Sequence, residues 1–351
     1  MRIAIVNDVA MIVEILARVI TEHTEHDVAW TATNGHEAVE KCRGDRPDII
    51  LMDLIMPEMD GIEATRRIMD ATPCAILVVT ASVNSNAGMV FEAMAAGALD
   101  AINTPTLGGN SEFIGLDMFQ KKISTIGKLI ARSTPLRPKI IETEAVAEAP
   151  RSHLPLIAIG SSTGGPGALA KILTQMPRDL DAGVVIIQHV DSQFAPGLAN
   201  WLNEQGPVPV RLAEPGDRPR AGQVLIAGTS DHLVLQPNGR LDYSAEPKDY
   251  VYRPSVDVFF NSAVDHWPSP IIGVLLTGMG RDGANGLLAL RRKHMYTIAQ
   301  NQATCAVYGM PKAAVELNAA EDILPIDDIG PALLTALIRM REHSAIAGAH
   351  Q

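Results

Sequence analysis

Short β-branched apolar runs alternate with stretches of helical period along most of this chain. In the first 130 residues the runs fall at 2–6, 28–33, 48–52, 75–80 and 99–103. Between them, residues 9–23 put Met11, Ile12, Ile15, Leu16 and Val19 on one face at helical spacing, and 61–69 and 87–96 behave similarly. Five such units predict a doubly wound parallel sheet with helices on both faces, closed by a last helical stretch over 112–132.

Residues 133–153 change character. They open with Ser-Thr-Pro-Leu-Arg-Pro, continue with Glu142, Glu144 and Glu148 among alanines, and reach Pro150. A polar, proline-containing stretch without an amphipathic face builds no core and reads as a linker. From Leu154 the alternation resumes, with strand candidates at 154–159, 183–188, 208–212, 223–227 and 271–276. Residues 232–236 and 240–244 flank Pro237-Asn238-Gly239, a strong hairpin signal. The expectation is α/β with two doubly wound domains: 1–125, then a helix end and linker over 126–153, then a mostly parallel domain with one β-hairpin over 154–345.

Composition narrows the function classes. A chain of 351 residues exceeds what one core usually fills, and 47% hydrophobic with 20% charged residues is the profile of a globular protein. A formal charge of −11 argues against nucleic-acid binding, which rests on clustered Lys and Arg. Cys42, Cys74 and Cys305 are widely spaced and suggest neither a disulfide framework nor a zinc site. The first apolar run is too short for a secretion signal, and no stretch approaches the roughly 18 apolar residues of a membrane span. A cytoplasmic protein without membrane insertion is expected.

Candidate chemistry collects at strand ends, where open parallel sheets bind ligands. The turn Gly160-Ser161-Ser162-Thr163-Gly164-Gly165 joins an apolar run to a helical period, which puts Ser162 on a strand-to-helix corner with converging backbone N–H groups. Taken alone, that turn reads equally as a nucleophile elbow or as a phosphate cradle. A nucleophile needs a base, and His189 ends the next strand; His232, His266 and His294 read as surface groups. The base needs a carboxylate, and Asp282 follows the run at 271–276, where it fits equally as a helix N-cap. Loop amides at Thr163 and Met279 suit a developing oxyanion.

In the first half, Asn7-Asp8, Asp53, Thr80 and Thr104-Pro105 follow successive strands. Oxygens of Asp8 and Asp53 suit Mg²⁺, with Asp53 able to attack a phosphoryl donor beside the Thr80 hydroxyl, although Asx residues after strands are also ordinary turn formers. The segment Pro47-Asp-Ile-Ile-Leu-Met-Asp53-Leu-Ile-Met-Pro57-Glu-Met-Asp60-Gly61, with Val78-Val79-Thr80-Ala81-Ser82, resembles the receiver domain of two-component response regulators over about residues 1–125. The resemblance implies a five-stranded flavodoxin-like sheet, Asp53 as phospho-acceptor, Asp8 and the backbone carbonyl of Ile55 as Mg²⁺ ligands, Thr80 as switch hydroxyl and a histidine kinase as phosphodonor. Three positions depart from the receiver pattern: Asn7 stands for an acid, Thr104 for a lysine and Ala101 for an aromatic residue.

In the second half, Ile159-Gly-Ser-Ser162-Thr-Gly-Gly, Ile187-Gln-His189-Val, Tyr252-Arg253-Pro254-Ser255-Val-Asp257 and Leu276-Thr-Gly-Met279-Gly-Arg-Asp282-Gly-Ala resemble the catalytic domain of chemotaxis protein-glutamate methylesterases over about 154–345. The order receiver, linker, esterase is similar as well. The resemblance implies Ser162 as nucleophile, His189 as general acid/base, Asp282 as its orienter, and Thr163 and Met279 as backbone oxyanion donors. It further implies a methylated chemoreceptor-type substrate, glutamine deamidation by the same acyl chemistry, no cofactor for the esterase, and a receiver that covers the cleft until Asp53 is phosphorylated. The segment 252–255 either lines the cleft or merely starts a helix over 256–266. Asn7, Asn103-Thr104-Pro105 and Gly309-Met310-Pro311-Lys312 look like the Wsp-type surface-sensing branch. The rival reading is a receiver-linked module that binds a phosphate or nucleotide without hydrolysis.

Overall fold

The protein is described by a computed structural model. It covers residues 1–81, 86–108, 113–130, 154–248, 250 and 252–348. The linker expected over 133–153 and Ser82 of the receiver motif lie outside the described residues. The chain divides into two compact units, Met1–Leu136 and Arg137–Gln351.

In the first unit, β1 (Arg2–Val6), α1 (Ala10–His23), β2 (Asp27–Ala32), α2 (Gly35–Gly44), β3 (Ile49–Met52) and α3 (Gly61–Ala71) follow in order. They are succeeded by β4 (Ala75–Thr80), α4 (Ala87–Ala95), β5 (Asp100–Asn103), β6 (Thr106–Leu107), β7 (Phe113–Ile114) and α5 (Leu116–Ile130). The sheet order is β2-β1-β3-β4-β5, with every pairing parallel, which is the flavodoxin-like arrangement. Ile3, Ile5, Ile49, Leu51, Leu77 and Val79 form one face of the core, packed with Leu16, Val19 and Ile20 of α1 and Phe119, Ile123 and Ile126 of α5. Burying each such aliphatic side chain is worth about 1.5–3 kcal/mol, which is why these runs become central strands.

Two local features differ from the sequence pattern. Helix α2 has only Ala38, Val39 and Cys42 as buried non-glycine residues; its stripe is too narrow for periodicity to reveal, and the Asn34 side chain, accepting the Glu37 N–H, supplies its start. After β5 the chain forms the small antiparallel β6–β7 pair, so the last helix begins at Leu116, just past Gly115 at φ +87°. Gly61 has a site-building role: a Cβ there would collide with the Asp53 carbonyl, so only glycine lets α3 start against the loop that carries Asp53.

In the second unit, β8 (Leu156–Ser161), α6 (Gly165–Thr174), β9 (Gly183–Gln188), α7 (Ala195–Gln205), β10 (Val210–Leu212) and β11 (Gln223–Ile226) lead to a hairpin of β12 (His232–Leu235) and β13 (Leu241–Ser244). There follow α8 (Val256–His266), β14 (Ile271–Leu275), α9 (Ala284–Arg292), β15 (Tyr296–Gln300), α10 (Met310–Glu316), β16 (Asp322–Leu324) and α11 (Ile326–Gly348). The sheet is wholly parallel in the order β10-β11-β9-β8-β14-β15-β16. All residues of β8, β9 and β14 are buried, as expected of strands covered on both faces. Strands β15 and β16 carry no continuous apolar run: Thr297 and Gln300 interrupt the first, and the second is a three-residue edge.

This order fixes where chemistry can assemble. From β8 the chain crosses to β9 on one side, whereas β14 packs on the other, so β8 ends at a topological switch point. Its carboxyl end, and those of its two neighbours, share one rim.

Candidate active site

Ser162 sits directly after β8, where the chain turns sharply into α6. Gly164 is left-handed, at φ 76°, a conformation that other L-residues adopt only with strain. A Cβ on Gly165 would collide with the Gln188 side chain, so the turn can lie against β9 only with glycine there. Gln188 then locks the corner: its Oε1 accepts the Ser161 hydroxyl at 2.6 Å and its Nε2 donates to the Ser162 carbonyl at 2.9 Å. The Ser162 N–H donates to the Thr277 carbonyl beyond β14 at 3.0 Å, tying the corner to the strand on its other side.

His189 follows β9, and its N–H donates to the Ser161 carbonyl at 3.0 Å, extending the β8–β9 ladder one step past its last register pair, Ser161 with Gln188. Ser162 and His189 therefore leave neighbouring strand tips. The His189 Nε2 lies 2.7 Å from Asp282 Oδ2, in a contact whose side chains are only 8% and 6% exposed. The other ring nitrogen, Nδ1, is buried and has no hydrogen-bond partner. The structure thus joins His189 to Asp282 directly and brings Ser162 beside them on the rim, without a hydrogen bond from that ring nitrogen to the serine. Nucleophile–base hydrogen bonds are often unformed without substrate and tighten in the Michaelis complex.

Asp282 does not cap its own helix, because Gly283, left-handed at φ 85°, occupies the N-cap of α9. Its carboxylate turns instead to the start of α8, where it accepts the Val256 N–H at 2.7 Å, the Asp257 N–H at 3.1 Å and the Ser255 hydroxyl at 2.7 Å. The positive end of the α8 dipole also favours a negative charge there. Burial works against ionisation, but the bonds from His189, Ser255 and Val256 outweigh it and hold the Asp282 carboxyl below the usual carboxylate range. An ionised, fixed carboxylate holds imidazole in one tautomer and stabilises imidazolium.

The amides of Thr163 and Met279 have no carbonyl partner among the described residues, whereas the Ser162 and Gly278 amides before them are engaged. Gly278 donates to Val307, its carbonyl accepts from Gly309 and Met310, and Thr277 Oγ1 donates to the Thr163 carbonyl at 2.9 Å. The Thr163 and Met279 N–H groups thus lie at the Ser162 corner, the second on a turn whose Gly278 packs directly against Ser162.

His232 is not the surface group that the pattern suggested; it is fully buried. The hairpin and the segment after it enclose the ring, whose Nδ1 accepts the Ser255 N–H at 3.1 Å while Nε2 faces the Pro247 carbonyl at 3.0 Å. Those partners require a neutral ring with the proton on Nε2. His232 thereby anchors Ser255, which in turn holds Asp282. A histidine after a polar Ser-Asp pair gives no sequence signal of this role. His294 is exposed and His266 half-buried.

In the first unit, Asn7, Asp8, Asp53 and Thr80 meet at the carboxyl end of β1, β3 and β4. Asn7 Nδ2 donates to Asp53 Oδ2 at 2.9 Å, and the Leu54 N–H donates to Asp53 Oδ1 at 2.7 Å. Burial, aided by the charge of Asp8, pushes the Asp53 carboxyl above its ordinary range despite bonds from the Leu54 and Ile55 amides. Two carboxylates with a backbone carbonyl at the exposed Ile55 are hard oxygen donors that suit Mg²⁺ completed by water, and their mutual repulsion is what a cation would relieve. No cluster of three or more His, Cys, Asp or Glu side chains able to hold a metal occurs among the described residues. Thr80 is buried and its Oγ1 accepts from Asn86 Nδ2 at 2.9 Å. The Thr104 Oγ1, where receivers carry lysine, is buried without a partner, and Ala101 is buried within β5.

Comparison with known proteins agrees with the two-unit architecture. Residues 157–333 match the CheB methylesterase family and residues 3–107 the response regulator receiver domain. A protein-glutamate methylesterase/protein-glutamine glutaminase of Mesorhizobium japonicum is 54% identical over 341 residues, 97% of this chain and 99% of that one. Another, from Burkholderia thailandensis, is 52% identical over 343 residues, 97% of this chain and 99% of the relative. The crystal structure of the Thermotoga maritima CheB methylesterase catalytic domain is 35% identical, covering 52% of this chain and 97% of that chain, with a TM-score of 0.48.

Proposed function

The chain belongs to the CheB methylesterase family, with a response-regulator receiver domain ahead of the esterase, and from that premise we propose that it is a phosphorylation-regulated protein-glutamate methylesterase whose nucleophile is Ser162. The single observation that carries the assignment is the buried 2.7 Å contact of His189 with Asp282 on the rim where Ser162 turns. His189, through its uncommitted Nδ1, takes the Ser162 proton as the serine attacks the ester carbonyl of a methylated glutamate. The Thr163 and Met279 amides receive the oxyanion, each such donor being worth about 10²–10³ in rate. Imidazolium then protonates the departing methoxide, and methanol leaves. Water, activated by the same nitrogen, releases the glutamate carboxylate. With a glutamine side chain the same steps expel ammonia.

In the receiver, Asp53 accepts a phosphoryl group from a histidine kinase, and Thr80 is its switch hydroxyl. Asp8, Asp53 and the Ile55 carbonyl would hold Mg²⁺, which would supply neutralisation of the phosphoryl charge. The substrate is a methylated chemoreceptor-type protein, which fits a cytoplasmic enzyme; no helix among the described residues is long and apolar enough to cross a membrane. Asn7, Thr104 and the Gly309-Met310-Pro311-Lys312 segment support the Wsp-type branch. We propose domain limits of 1–125 and 154–345, with 126–153 between them.

Reading the glycine corner as a phosphate cradle has weaker support, because Gln188 already occupies its inner side through the Ser161 hydroxyl and the Ser162 carbonyl. Methanol release from methylated receptor decides the matter. The full chain is expected to release methanol and Ser162→Ala to release none; equal release by the variant would overturn the proposal.

A further inference from the structure

His189 is held by more than one hydrogen bond. The Tyr252 ring stacks on the imidazole with centroids 4.4 Å apart and planes only 7° from parallel. The far end of the same side chain reaches the turn beyond β14: a Cβ on Gly280, itself at φ +88°, would come within 3.2 Å of the Tyr252 hydroxyl oxygen. Tyr252 thus spans from the imidazole to the loop of Met279. A single hydrogen bond through Nε2 fixes one point of the ring but leaves it free to pivot about that point. A flat surface against one face removes the pivot and sets the direction of Nδ1, the nitrogen that has no partner of its own. The π face also favours the positive charge that appears on the ring in the transition state.

From this geometry we infer that Tyr252 is a positioning residue for the hydrolysis, acting through the face of its ring on His189. The inference rests on the methylesterase reading. The hydroxyl is dispensable to the role, because the face that meets the imidazole is that of the phenyl ring. Burial, and then the Asp282 charge, push the Tyr252 hydroxyl upward, so it stays neutral beside the histidine at physiological pH.

The test compares Tyr252→Phe and Tyr252→Leu with the unmodified full chain. It measures kcat and KM for methanol release, together with the rate at which a fluorophosphonate probe modifies Ser162. Phenylalanine is expected to keep kcat within about threefold. Leucine, apolar but smaller and without a flat face, is expected to lower kcat and the labelling rate together by about 10–100-fold, the scale of a misplaced catalytic group, with KM within about twofold. Should leucine prevent folding, as judged by circular dichroism, Tyr252→Met carries the same comparison. A leucine variant with unchanged kcat overturns the inference. So does a loss confined to KM, which would make Tyr252 a substrate contact, or a phenylalanine variant as impaired as leucine. Wild-type chain that reacts with the probe at Ser162 but releases no methanol would defeat the substrate assignment while leaving the Tyr252 comparison readable through labelling.

Discussion

Asp282 and Asp257 cap each other's helices. Asp282, one residue before the α9 N-cap, accepts the first N–H groups of α8, while Asp257, in the first turn of α8, accepts the Gly286 N–H in the first turn of α9 at 2.6 Å. The two helix starts are thereby tied together, and the carboxylate in contact with His189 is held by both. Their electrostatics differ in sign: Asp282 is held below the carboxylate range, whereas burial pushes Asp257 above it, with the Asp282 charge adding to the rise against the bond from Gly286.

Asp257 therefore separates hydrogen bonding from charge. Asp257→Asn keeps an oxygen for the Gly286 N–H and removes a buried charge, so stability at pH 7 is expected to be unchanged or higher, with kcat retained. Asp257→Ala leaves a buried N–H unpaired and is expected to cost about 1–3 kcal/mol. Urea denaturation of the full chain, followed through the esterase transition, measures both.

The acid limb of stability should carry the mark of Asp282. Its folded pKa lies below the unfolded value of about 3.9, so it contributes stability above that pH, and the contribution is lost as pH falls through the lowered value. Asp257 acts oppositely, contributing less as pH rises through the carboxylate range. Asp282→Asn is expected to flatten the decline below about pH 4 and to lower kcat by roughly 10³–10⁴-fold at pH 7. A variant as acid-sensitive as the parent would contradict this.

His232 reaches the chemistry only through Ser255. His232→Leu removes the acceptor of a buried N–H and is expected to destabilise the esterase unit by about 1–3 kcal/mol, with a fall in kcat as Ser255 and Asp282 loosen. Thermal unfolding and methanol release report the two effects separately.

In the receiver, Asn7→Asp replaces the amide that donates to Asp53 with a third acid. Without Mg²⁺ the added repulsion should raise the Asp53 pKa further and lower stability at neutral pH; with Mg²⁺ the affinity should rise about tenfold, worth 1.4 kcal/mol by definition of the free-energy scale. Calorimetric Mg²⁺ titration distinguishes this from an unchanged site.

Much of the architecture was legible because continuous apolar runs such as Ile157–Ile159 and Val184–Ile187 can only be central strands. The rule that chemistry gathers at strand ends then selected Ser162, His189 and Asp282, which the sheet order carries to adjacent tips. What stayed hidden depends on contacts between segments far apart in sequence. The burial of His232 arises from the chain after the hairpin, and the Tyr252 stack from a loop 63 residues beyond His189. Strand β15 was hidden for another reason: Thr297 and Gln300 are polar but buried because each has a built partner, Glu321 N–H for Thr297 and Thr277 N–H for Gln300.

Covalent labelling of Ser162 by a fluorophosphonate, followed by mass spectrometry of the full chain, reads the Ser162–His189–Asp282 relay itself and needs no receptor. One adduct on the peptide containing Ser162 is predicted, forming at least about 10³ times more slowly in His189→Ala and in Asp282→Asn. Labelling at another residue, or equal rates in all three proteins, would contradict a shared relay among these three side chains.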